Sequence, residues 1–84
     1  MNRKHRATLA ALFVAPTPAN IVFADLESMV LALNGAIIEG RGSRVAFVLL
    51  GQRIDLHRPH PGKEARRYQV EQLRGWLTQL EIMP

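Results

Sequence analysis

The chain contains no cysteine. That excludes disulfide staples and thiolate metal ligands. It contains no run of about eighteen uninterrupted apolar residues, which excludes a transmembrane helix. Internal repeats and low-complexity tracts are also missing. Met1 to Arg6 is basic and Ala7 to Ala15 apolar, as in a secretory leader, but Pro16 and Pro18 stand where a small-residue cleavage site is needed. The expectation is a cytoplasmic protein without membrane attachment. With 84 residues there is room for one domain and one small core.

Acidic residues are too few to balance the bases of the second half. Residues 1–40 balance three bases (Arg3, Lys4, Arg6) against three acids (Asp25, Glu27, Glu39). Residues 41–74 set eight bases against three acids, and with Glu81 the whole formal excess of +4 lies in the second half. Such a surface suits a polyanion or an acidic protein, and equally a basic surface with no partner.

Apolar spacing predicts a helix over 3–14, a proline linker "APTPAN" at 15–20, and a second helix over 24–33 stopped by Asn34-Gly35. Three strands are expected next: 36–39, 44–50 and 53–57, with "GRGS" as the first turn and a Gly51-Gln52 hairpin of the II′ type as the second. In that register Leu49 faces Ile54, Phe47 faces Leu56 and Ala46 faces His57. Arg44 then lies opposite Pro59 and diagonal to His57, on the open face. A last helix over 68–80 carries Val70, Leu73, Leu77 and Leu80 inward, with Gln69, Glu71, Gln72, Arg74 and Gln79 on its wet side. The expected fold class is α+β: a two-layer α-α-β-β-β-α arrangement, its three-stranded antiparallel sheet covered by helices on one face.

The stretch "HRPHPGKE" at 57–64 concentrates the chemistry. Pro59 and Pro61 stiffen it, His57 and His60 supply imidazoles that titrate near neutrality, and Arg58 and Lys63 bind phosphate. Such groups suffice for metal-free cleavage of RNA: a base takes the ribose 2′-hydroxyl proton, cations stabilise the phosphorane, and an acid protonates the leaving oxygen. The same residues also describe a rigid turn whose histidines only make hydrogen bonds. "EGRGSR" at 39–44 adds Arg41 and Arg44 around Gly42 and Ser43, where a backbone can approach phosphate. Arg66 continues the basic run. No metal site is expected, because two histidines three apart lack a third ligand. His5 reads as a surface residue. Tyr68 and Trp76 have rings that stack on bases, although Trp76 reads as core. No Ser-His-Asp or Cys-His set is present.

The α-β-β-β-α order, the Gly42-Ser43 turn into the second strand and the "RPHPGKE" segment resemble the HicA family, over about 24–82. The resemblance implies a fold like the double-stranded-RNA-binding domain. It also implies a toxin of a toxin–antitoxin pair: a metal-free endoribonuclease (mRNA interferase) with no cofactor, acting on mRNA and neutralised by a HicB-type antitoxin. Residues 1–20 would be an N-terminal extension, serving either dimerisation or antitoxin contact, and residues 21–84 the HicA-like domain. The family's catalytic histidine falls at or beside Arg44, and arginine stays protonated near neutrality and cannot be a general base. Either His57 or His60 takes that role, or the protein binds RNA with little or no cleavage. The expected phosphate ligands are Arg41, Arg44, Arg58, Lys63 and Arg66.

Overall fold

A computed structural model describes all residues, Met1–Pro84. The elements follow the order α1 (Arg3–Leu12), α2 (Phe23–Ala32), β1 (Ala36–Glu39), β2 (Arg44–Leu49), β3 (Gln52–His57) and α3 (Arg67–Gln79). The strands form one antiparallel sheet in the order β1-β2-β3. This is the expected α+β arrangement of three helices on a three-stranded antiparallel sheet. No helix is long and apolar enough to cross a membrane.

One core joins the three helices to β2 and β3, and the half-buried Ile37 of β1 packs against it. Leu9 and Leu12 of α1, Leu26, Met29 and Val30 of α2, Val45, Phe47 and Leu49 of β2, Leu56 of β3, and Val70, Leu73 and Leu77 of α3 are all buried in it. Phe23 and Phe47 pack with ring centroids 5.8 Å apart. The first helix, set apart in the sequence by its prolines, therefore shares the core of the rest. It is also tied down by polar contacts. Arg74 was expected on the wet side of α3. Its Nε instead donates to the Leu12 carbonyl at 2.6 Å and its Nη2 to Thr17 Oγ1 at 3.2 Å. A cation at a helix C-terminus meets the carbonyls that lack intrahelical donors. Thr17 Oγ1 in turn donates to Glu71 at 3.1 Å.

Helix α2 ends as Asn34-Gly35 implied. Asn34 takes φ 66°, its N–H donates to the Leu31 carbonyl at 3.0 Å, and the Gly35 N–H donates to the Val30 carbonyl at 2.9 Å. These two bonds are the Schellman closure of a helix. Gly35 is needed for space: a Cβ there would lie 2.7 Å from both Leu49 Cδ2 and the Val48 carbonyl oxygen.

The β2–β3 register differs from the expected one by two residues. Leu49 pairs with Gln52, Phe47 with Ile54, Val45 with Leu56 and Arg44 with His57. The central turn residues are Leu50 (φ 51°) and Gly51 (φ 76°) rather than Gly51-Gln52. Two consecutive positive φ values define a I′ turn in place of the expected II′ turn. An even shift leaves every side chain on its expected face, so apolar alternation alone could not discriminate the two registers. The shift moves Arg44 from a diagonal position to direct opposition with His57.

Candidate functional site: the β3–α3 loop and its neighbours

The loop after β3 is fastened at both ends. At its start, the Arg58 N–H donates to the Ser43 carbonyl at 2.8 Å. At its end, Glu64 bridges Val22, the Phe23 N–H donates to the Lys63 carbonyl at 2.9 Å, and the Ala65 N–H donates to the Ile21 carbonyl at 2.7 Å. Between these anchors lie Pro59, His60 and Pro61, the last after a cis peptide bond.

Arg58 has a different task from the one expected of it. Its guanidinium donates to Glu27 at 2.6 and 2.9 Å and to Glu39 at 2.6 and 2.7 Å. It thereby ties α2 and the end of β1 to the loop. The Arg58 hydrogen bonds, reinforced by its charge, hold the Glu39 carboxyl below the usual carboxylate value, against a smaller desolvation effect. The Glu39 and Glu27 hydrogen bonds raise the Arg58 guanidinium further above its already high value. Four of its five N–H donors are engaged by carboxylates, so Arg58 acts as a structural clamp and its charge is largely offset before any phosphate approaches.

The remaining expected residues fall into three neighbourhoods. His57, His60 and Arg66 share a shallow depression of about 210 Å³ with Ser43, Tyr68 and Gln69. Both histidines and Arg66 are exposed. Ser43 Oγ and His57 Nδ1 are 3.3 Å apart, within hydrogen-bonding reach, with donor and acceptor set by the imidazole tautomer. Arg41 and Arg44 line a groove on the open sheet face with Ile38, Arg53 and Asp55. Arg44 is the cross-strand partner of His57, which places the two neighbourhoods side by side. Arg53 pairs with Asp55 at 2.9 Å and is partly neutralised there. Lys63 stands apart, beside Val22, Phe23 and Glu27 on the α2 side of the loop. Gly42 (φ 57°) occupies the left-handed position of the Arg41–Arg44 turn, closed by the Arg44 N–H donating to the Arg41 carbonyl at 3.0 Å.

Gln69 escaped notice in the sequence. It was expected on the wet side of α3, yet its side chain is fully buried. Its Nε2 donates to the His57 carbonyl at 2.7 Å, and its Oε1 accepts the Arg66 N–H at 2.9 Å. One amide thus holds the backbones of both sides of the depression. A signal existed: glutamine at the third helical position is half of a capping box. Arginine at the N-cap, which has no acceptor atom, hid it.

No three His, Cys, Asp or Glu side chains gather closely enough to hold a metal ion. No family model, curated protein or solved structure matches the chain.

Proposed function

We propose that the protein is an RNA-cleaving toxin resembling the HicA family, a metal-free endoribonuclease of double-stranded-RNA-binding-domain type acting on mRNA in the cytoplasm and neutralised by a HicB-type antitoxin. The observation that carries this reading is the open depression lined by His57, His60 and Arg66, with Ser43 beside His57 and Arg44 directly across the ladder. In the reaction, one imidazole accepts the 2′-hydroxyl proton as the 2′-oxygen attacks the adjacent phosphorus. Arg44 and Arg66 stabilise the charge on the phosphorane. The second imidazole donates a proton as the bond to the 5′-oxygen breaks, leaving a 2′,3′-cyclic phosphate and a 5′-hydroxyl. No water or metal enters this step. The backbone anchors at both ends of the loop support this reading, because they limit how far the chain carrying both imidazoles can move.

The test is cleavage of single-stranded RNA by purified protein in excess chelator, with product ends identified. His57→Ala or His60→Ala is expected to slow cleavage by about 10²–10⁴-fold. Equal rates for wild type and both variants would remove the histidines from the reaction. A second reading is favoured by Arg44 itself, a permanent cation beside His57 where the family has a histidine. It is an RNA- or antitoxin-binding module with little or no nuclease activity. Salt-sensitive RNA retention without cleavage would select it.

A further inference from the structure

Tyr68 is the chain's one tyrosine, and 58 % of it is exposed although it adjoins the core-facing turn of α3. It stands between two depressions. One is the His57–His60 depression described above. The other, of about 380 Å³, is lined by Gly62, Glu64, Arg66, Arg67 and Tyr68. Arg66 and Tyr68 belong to both. The second depression therefore continues the first and has no assigned occupant.

Its walls have an unusual balance. Glu64 is half-buried and its backbone is locked by the bridge to Val22. Its carboxylate takes part in none of the chain's ion pairs, although Arg66 and Arg67 line the same depression. Arg67 is steadied by a 3.3 Å bond from its Nε to the Thr17 carbonyl. The floor at Gly62 is open, with only Glu64 Oε1, at 3.8 Å, near the position of an added Cβ. An exposed aromatic ring, an unpaired carboxylate and two guanidinium groups around one base-sized depression match the needs of a nucleotide. The ring offers a stacking face, the arginines offer phosphate ligands, and the carboxylate offers two acceptor oxygens side by side. Among the bases, guanine presents two adjacent donors, N1–H and the 2-amino group, on its Watson–Crick edge. That edge and both ring faces are occupied when guanine lies in a duplex.

Resting on the ribonuclease reading above, we propose that the Tyr68–Glu64 depression is a subsite for an unpaired guanine next to the phosphate held at His57, His60 and Arg66. Tyr68 stacks on the base, and Glu64 accepts from its Watson–Crick edge. The substrate strand is then single-stranded at the site of attack, and the base beside the scissile phosphate is selected.

The experiment measures binding separately from cutting. Fluorescein-labelled RNA hexamers of uridine, with one central position set to G, A, C or U, carry 2′-O-methyl groups throughout so that they cannot be cleaved. Anisotropy titrations compare wild type with Tyr68→Ala, Tyr68→Phe and Glu64→Gln, each checked for native circular dichroism. Wild type is expected to bind the G hexamer at least about fivefold more tightly than the all-U hexamer. Tyr68→Ala should weaken G binding about tenfold, and Tyr68→Phe should retain it. Glu64→Gln should bring G to the level of A while leaving the all-U affinity unchanged. Equal affinity for all four hexamers, or unchanged G binding by Tyr68→Ala, overturns the subsite. G-selective binding with no cleavage of unmodified RNA sinks the nuclease and supports the subsite. Cleavage without base preference does the reverse, and absence of all RNA binding overturns both.

Discussion

Gln69 gives the sharpest test of how the candidate site is held. Its amide makes two bonds across the base of the depression, to the His57 carbonyl at 2.7 Å and from the Arg66 N–H at 2.9 Å. Replacement by methionine keeps the length and removes both bonds. Each bond contributes about 0.5–1.5 kcal/mol net, so Gln69→Met is expected to cost about 1–3 kcal/mol. The lower part of that range applies if water reaches the two released backbone groups, since His57 and Arg66 are themselves exposed. For a domain of this size the loss corresponds to a fall in Tm of roughly 5–20 °C. Urea denaturation followed through Trp76, the one tryptophan and a buried one, reads the change directly. Gln69→Ala should cost more than Gln69→Met, because it adds a cavity to the same lost bonds. A Gln69→Met midpoint unchanged from wild type would mean that the amide stabilises nothing, and the claim that it joins β3 to α3 would fail.

Further perturbations probe other joints. Arg58→Met leaves Glu27 and Glu39 unpaired and is expected to cost about 1–2 kcal/mol in urea melts, the solvent exposure of the cluster keeping it from costing more. Because the folded Glu39 carboxyl titrates below the usual value of 4.5, its contribution is present above that pH and is lost as pH falls through the lower folded value. Thermal melts of wild type should show this acid loss, and those of Glu39→Gln should lack that component. Leu50→Asn relieves a left-handed leucine at φ 51° in the I′ turn and should stabilise by about 0.5–1 kcal/mol, an increase absent if the turn is of the II′ type. Gly35→Ala would drive a Cβ to 2.7 Å from Leu49 Cδ2 and the Val48 carbonyl oxygen and should cost about 1–3 kcal/mol, visible as a lowered denaturation midpoint.

The number, order and type of elements were legible in the residues because they depend on short-range rules. Leu26, Met29, Val30 and Leu33 repeat at helical spacing, and Val45, Phe47 and Leu49 alternate toward the core. Asn34-Gly35 announces a left-handed stop, and Gly42 and Gly51 mark the two strand turns, although the second begins one residue earlier than a glycine-led turn would, at Leu50. The clustering of cations in the second half and the histidines of "HRPHPGKE" were equally plain. Other features depend on groups far apart in the chain. The two-residue shift that sets Arg44 against His57 was invisible to periodicity, since both registers bury the same residues. Arg58 looked like a phosphate ligand until Glu27 and Glu39, 31 and 19 positions away, closed around it. Gln69 and Arg74 read as solvated helix residues until folding gave each a backbone acceptor, in His57 and Leu12. Local sequence thus determined the order of the elements and which faces are apolar, because backbone sterics and side-chain spacing act within a few residues. Only the tertiary structure decided which charged and polar groups are spent on holding the fold and which remain open to a ligand, because a side chain's partner is set by what the folded chain brings within about 3 Å of it.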